Sequence, residues 1–194
     1  MGRDSTGRAG PSVAVALLLV GVLVSGCTVA RLPEDASGAE FRLRGKIAVR
    51  GPGDAFSASF DWIQTGEAFD IELWGPLGQG RVHLRGDAGR LTVTDARGAT
   101  TSGISAEPFM ASALGWSVPI SALPHWVRGR YDPRSTVAEQ RRTADGTLAR
   151  FEQLGWTVEV SRWAESALGP VPGRVVAVQR ERRIVIVCKE WLVA

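Results

Sequence analysis

From Phe41 onward the chain alternates apolar and polar positions with a period of two. Phe41, Leu43, Gly45, Ile47 and Val49 share one face, and Arg42, Arg44, Lys46, Ala48 and Arg50 share the other. That is the pattern of a strand with one buried and one wetted side. Gly51-Pro52-Gly53 turns the chain. Phe56, Ala58, Phe60 and Trp62 then oppose Ser57, Ser59 and Asp61. After Thr65-Gly66, Phe69, Ile71 and Leu73 oppose Asp70 and Glu72. A Gly75-Pro76-Leu77-Gly78 break follows. Val82 and Leu84 next alternate with Arg81, His83 and Arg85, and Leu91 and Val93 repeat the pattern after Gly86–Arg90. The intervals are too short for crossover helices, so these strands form an antiparallel meander.

Two segments change period. In Ala106–Leu114 and Ser121–Val127, apolar residues recur at helical spacing (Phe109, Met110, Leu114; Leu123, Trp126, Val127). Gly115 and Gly129 stand at their C-terminal ends and Ser121 is a candidate N-cap. Strands resume at Thr147–Leu154, Trp156–Val160, Val175–Gln179 and Ile184–Cys188. The expected fold is mainly β with short helices: about eight or more antiparallel strands and one helical insertion, as in an open or partly closed barrel.

The start of the chain is of another kind. Arg3 and Arg8 precede a twelve-residue apolar run, Val13–Val24, too short to span a bilayer as a mature helix. Val24-Ser25-Gly26-Cys27 follows and resembles the lipobox of bacterial lipoproteins, in which the cysteine thiol takes a diacylglyceryl group and the signal is cut before it. The expected organisation is a cleaved signal over 1–26, lipidation at Cys27 with a tether over 27–40, and a folded domain over 41–194. The only other cysteine is Cys188, read as a small buried hydrophobe. With Cys27 acylated, no disulfide pair remains.

Composition narrows the function. The chain has 194 residues, 44% hydrophobic, and a net charge of +3. Its cations alternate with apolar residues instead of clustering, which argues against nucleic acid. Two histidines, His83 and His125, accompany no metalloprotease, hydrolase-elbow or paired-carboxylate motif and no phosphate-cradling glycine loop. No enzyme activity, metal or cofactor is expected. The strand alternation supplies an apolar surface from Ile47, Val49, Phe56, Phe60, Trp62, Phe69, Ile71, Leu73, Val82, Leu84, Leu91, Val93, Ile184 and Ile186, with Leu114 and Trp126 contributed by the helices. The pattern alone leaves open whether that surface lines a cavity or packs into a filled core. Leu77 occupies a turn, where polar residues are usual, three positions after Trp74. It either marks a membrane or partner contact or folds back to cap the barrel.

Four strings, Phe60–Gly66 (FDWIQTG), Leu73–Gly78 (LWGPLG), Gly115–Gly129 (GWSVPISALPHWVRG) and Arg183–Trp191 (RIVIVCKEW), resemble the LolB family in order and spacing over nearly the whole domain. The resemblance implies an incomplete barrel covered by a helical lid. Its hydrophobic cavity would accept the acyl chains of lipoproteins handed over by a LolA-like periplasmic carrier, without nucleotide hydrolysis. It implies a monomer, lipid-anchored in the outer membrane and facing the periplasm, with Leu77 on a protruding loop of Trp74, Pro76 and Gly78 as the residue that delivers cargo into the membrane. Arg42, Arg44, Lys46, Arg50, Arg81 and Arg85 would steer the carrier or simply solvate an exposed face. A lipid-anchored envelope scaffold with a filled barrel is the alternative. Burying a methylene contributes about 0.8 kcal/mol, so three chains of roughly fifteen carbons carry on the order of 35 kcal/mol of exposure cost. Cargo of that kind needs an apolar cavity at every stage of its passage.

Overall fold

The computed structural model describes residues 39–87, 89–114 and 117–193. The apolar run, the lipobox with Cys27, and the tether up to residue 38 lie outside the described residues, as do Gly115 and Trp116. β1 begins at Ala39, two residues before the strand start read from the alternation.

Eleven strands form one antiparallel sheet. They are β1 (Ala39–Gly51), β2 (Asp54–Gly66), β3 (Ala68–Trp74), β4 (Val82–Gly86), β5 (Arg90–Thr94), β6 (Thr100–Ile104), β7 (Val137–Arg142), β8 (Leu148–Gln153), β9 (Trp156–Ser166), β10 (Gly169–Gln179) and β11 (Arg182–Leu192). The spatial order is β6-β5-β4-β3-β2-β1-β11-β10-β9-β8-β7, so β1 pairs with β11 and the two halves join at the centre. The edges β6 and β7 do not pair with each other. The sheet is open, as the sequence pattern suggested.

Both edge strands escaped the sequence reading, for the same reason. β6 (TTSGI) and β7 (VAEQRR) carry almost no apolar alternation, because each pairs on one side only and lies largely exposed. Polar, irregular edges are how open sheets avoid pairing with other chains, and β7 shifts register twice against β8. Strands β9 to β11 run several residues beyond the apolar stretches that announced them.

Between β6 and β7 lie α1 (Ala106–Leu114) and α2 (Leu123–Trp126). The first was expected in full; the second is shorter than the 121–127 read from periodicity. Ser121 is not its cap. The N-cap is Ala122, without a side-chain hydrogen bond, and the carbonyl of Pro119 accepts from the amides of Ala122 and Leu123.

The sheet curls around these helices. Leu123 faces residues of β1 to β4, while Trp126 packs against Phe151 of β8 and Trp156 of β9. A buried polar node fixes α2 there. Gln153 Oε1 accepts from Trp126 Nε1 and from the Asp132 amide, both at 2.9 Å, and Gln153 Nε2 donates to the carbonyls of Asp132 and Ser135 at 2.8 and 3.0 Å. Each buried polar atom is thereby satisfied, which is what makes a polar group tolerable in an apolar core. Arg134 ties the same loop to the other half of the sheet, donating to Asp132, to the Ser121 carbonyl and to Glu67 in the β2–β3 turn.

Two glycines are required by geometry. At Gly45, beside the β1–β11 bulge, an added Cβ would come within 2.1 Å of the Val187 carbonyl oxygen. At Gly129 (φ +69°) it would meet Trp163 at 2.1 Å, so the chain leaving α2 lies flat against β9 only because no side chain intervenes.

Candidate functional site: an apolar cavity and an exposed loop tip

The inner face of β1 to β4 and β11 meets the helices across a cavity of about 50 Å³. Its floor is Ile47, Phe60, Trp62, Ile71, Leu73, Leu84, Ile184 and Ile186; its roof is Met110 of α1, Val118 and Ile120 of the linker, and Leu123 of α2. Every lining side chain is apolar apart from the Trp62 indole N–H, which donates to Gln64 Oε1 at 2.9 Å.

Half of the sixteen cavity residues expected from sequence line this space. Val49, Phe69, Leu91 and Val93 are buried but belong to the packed core flanking it, and Val82 is half-buried against that core. Trp126 is also core, held by Gln153 rather than facing the cavity. Phe56 is a correction: it is 37% exposed, close to the β1–β2 turn at the start of β2. The Leu114 side chain lies outside the described residues. Val118 and Ile120 were missed because the linker between the short helices has no period to betray which residues face inward.

Loop 75–81 is compact. The Gly75 amide donates to the Gln79 carbonyl at 2.7 Å, and the Gly78 amide to the Gly75 carbonyl at 3.1 Å. Pro76–Gly78 forms one tight turn with Leu77 in the left-handed region at φ 61°, ψ 19°. That conformation costs a residue with a Cβ about 1–2 kcal/mol. The strain does not fold Leu77 inward. The side chain is 96% exposed, which removes the reading of a leucine capping the barrel. Behind it, Trp74 is half-buried with the Arg81 guanidinium 5.6 Å from its ring centroid, a cation–π contact that stiffens the base of the loop.

The outer face of the sheet is a ladder of ion pairs. Arg42 and Arg44 both hold Asp61, Arg44 also reaches Glu190, Arg85 and His83 share Asp70, and Arg81 meets Glu72. The hydrogen bond from Arg42 foremost, then that from Arg44, keeps the Asp61 carboxyl below its ordinary range against the opposing effect of partial burial. Four of the six cations expected to steer a partner are therefore locally neutralised. Such a face also cannot be a lipid-facing barrel wall, which requires apolar residues pointing outward. No helix among the described residues is long and apolar enough to cross a membrane.

The remaining candidates fall into place. Cys188 is buried in β11, where burial alone pushes its thiol up to about 12, so it is the inert hydrophobe expected. His83 lies on the outer face against Asp70. His125 is half-buried in α2, its imidazolium disfavoured first by burial and then by Arg134, Arg128 and Arg130, with Asp132 opposing them. No group of three or more metal-ligating side chains exists among the described residues.

An open antiparallel sheet wrapped around short helices, with an apolar cavity between them and charge outside, defines the structural class. Comparison with known proteins makes the class specific. The profile of the family described as "Outer membrane lipoprotein LolB" matches residues 39–191. An outer-membrane lipoprotein LolB from Halorhodospira halophila is 31% identical over 96% of this chain and 97% of its own length. One from Pseudomonas fluorescens is 36% identical over 78% of this chain and 74% of its own. Among solved structures, a LolA-superfamily protein from Nitrosomonas europaea superposes with a TM-score of 0.55 over 81% of this chain and 87% of that one, at 8% identity. A protein of the DUF1329 family from Desulfovibrio piger gives 0.52 over the same shares at 9% identity. The chain belongs to the LolB family, which supports a role in lipoprotein sorting, and it shares its fold with the LolA-superfamily protein from Nitrosomonas europaea.

Proposed function

We propose that this protein accepts acylated lipoproteins from a LolA-like periplasmic carrier by taking their acyl chains into the cavity beneath α1 and α2, and releases them into the inner leaflet of the outer membrane through the loop bearing Leu77. Cys27 is its lipid anchor, the working unit is a monomer, and transfer needs no nucleotide. The observation that carries the reading is the cavity itself, a void lined by apolar side chains in a protein whose outer face carries a ladder of ion pairs.

The small cavity is a resting state. Drug-sized ligands occupy clefts of about 300–1,000 Å³, and three acyl chains are larger than that, so roof and floor separate when cargo enters. The two helices are held unequally. α2 is fixed by the buried hydrogen bonds of Trp126 to Gln153 and by the Arg134 bridge to Glu67. α1 faces the sheet through Ala106, Phe109 and Met110. Sliding apolar surface over apolar surface costs far less than breaking buried hydrogen bonds, so α1 is the part that lifts. Cargo then replaces the contacts that Met110 gives up, and transfer runs toward whichever partner buries the chains better.

The test is a reconstituted transfer: carrier loaded with acylated lipoprotein, this protein, and liposomes. Ile120→Trp places a bulky ring in the roof and leaves the outer face untouched. It should block uptake of acylated cargo while the protein stays folded. Uptake at the wild-type rate by a folded Ile120→Trp protein, or equal uptake of a non-acylated cargo, would overturn the assignment.

A further inference from the structure

The two ends of the sheet differ in charge. Strand register places the β1–β2, β3–β4, β5–β6, β8–β9 and β10–β11 connections at one end, together with Leu77, and the β2–β3, β4–β5, β7–β8 and β9–β10 connections at the other. The turns at the Leu77 end and their flanking strand residues carry Arg50, Arg81, Arg97, Arg180, Arg182 and Arg183. Among the described side chains there, Asp95, Glu152 and Glu181 oppose them. Arg81 pairs with Glu72; the other five guanidinium groups enter no ion pair among the described residues. At the opposite end the charges balance, with Glu67, Asp87, Asp145 and Glu165 against Arg85, Arg90, Arg141 and Arg142.

We propose that the arginine-bearing rim around Leu77 docks on anionic phospholipid headgroups and so holds this end of the sheet against the membrane. The inference rests on the reading of Leu77 as the residue that enters the bilayer, and it adds the surface that brings it there. An aliphatic tip amid unpaired cations is the composition of an interfacial anchor, the leucine entering the headgroup–acyl boundary and the arginines meeting phosphate. Leu154, 45% exposed at the β8–β9 turn, adds apolar surface at the same end. An acidic protein would be attracted by the same charges. It would also need a pocket for a leucine that is 96% exposed, whereas a lipid surface supplies one anywhere.

Each arginine near an anionic surface multiplies the affinity of the rim for that surface about five-fold.

The experiment uses the full acylated protein reconstituted in vesicles, carrying an environment-sensitive dye on a single introduced cysteine. The dye sits at Ala96→Cys in the β5–β6 turn of the rim or, as the control, at Ala144→Cys in the β7–β8 turn. Cys188 is buried and does not compete for the label. On vesicles of phosphatidylethanolamine and phosphatidylglycerol the rim dye should report an apolar environment and the control dye should not. Salt at about 1 M, where the Debye length is about 3 Å, or phosphatidylcholine alone should abolish the signal. The double charge reversal Arg180→Glu/Arg183→Glu should reduce the docked-to-undocked ratio at least about 25-fold. A rim dye that stays water-like on anionic vesicles overturns the proposal, as does one that responds only when an acidic carrier protein is added. Cargo uptake measured on the same preparations separates the two claims. Normal uptake without docking sinks the rim alone, and docking without uptake sinks the cargo reading alone.

Discussion

Replacing Leu77 by glycine should move stability and function in opposite directions. Leu77 is 96% exposed, so the substitution removes almost no buried surface. Its φ of 61° costs about 1–2 kcal/mol with a Cβ present. Glycine relieves that strain, and its greater freedom in the unfolded chain takes back about 0.4–1 kcal/mol. The net expectation is a gain of about 0.5–1 kcal/mol, equivalent to a melting temperature higher by roughly 1–4 °C for a chain of this size. Delivery should fall, because a leucine buried in the acyl region contributes about 2 kcal/mol, close to 30-fold in the population of the inserted state. Urea denaturation and transfer of lipoprotein from loaded carrier into liposomes measure the two effects on one preparation. A Leu77→Gly protein that is destabilised by 1 kcal/mol or more would show that the side chain packs somewhere in the fold. Unchanged transfer would show that its exposure serves no membrane step. Either result refutes the argument.

Gln153→Leu should cost about 3 kcal/mol, seen as a lower urea midpoint, since it strands the Trp126 indole N–H and the Asp132 amide in the core; a change below about 0.5 kcal/mol would mean that water or another group takes over the acceptor. The Asp61 carboxyl is held below its ordinary value of 3.8 by the hydrogen bond from Arg42, then that from Arg44, against partial burial. Its folded pKa being depressed, it stabilises the protein above pH 3.8 and that stability is lost as pH falls through the folded value. Asp61→Asn should therefore flatten the acid limb of a stability–pH curve, and an identical limb in both proteins would contradict the pairing.

The sequence carried the fold where burial is one-sided. β1 to β5 and the core of β8 to β11 were legible because each pairs on both sides and buries one face, so that side chains such as Leu43, Trp62, Ile71 and Ile186 must alternate with polar ones. β6 and β7 were not, since an edge strand that must stay soluble hides the alternation. The candidate site was legible to the same degree. The floor of the cavity came from strand faces; the roof residues Val118 and Ile120 sit in a linker with no period. Nor could alternation separate residues that line the void, such as Leu84, from those that pack beside it, such as Leu91, because both point inward. Phe56 obeys the alternation of β2 yet is 37% exposed near the β1–β2 turn, which the pattern does not reveal. Ion pairing was equally invisible in the alternation, because Arg42 and Arg85 meet Asp61 and Asp70 only across neighbouring strands.

The central claim is that acyl chains occupy the space between the sheet and the helices. A photoactivatable phenylalanine analogue at Met110, in the roof, or at Lys46, exposed on the outer face of β1, tests it most directly during transfer from a loaded carrier. The account predicts cross-links from position 110 to acylated lipoprotein, mapped to its lipid, and none to the same lipoprotein without acyl chains. Cross-links of equal yield from position 46, or from position 110 to non-acylated cargo, would contradict it.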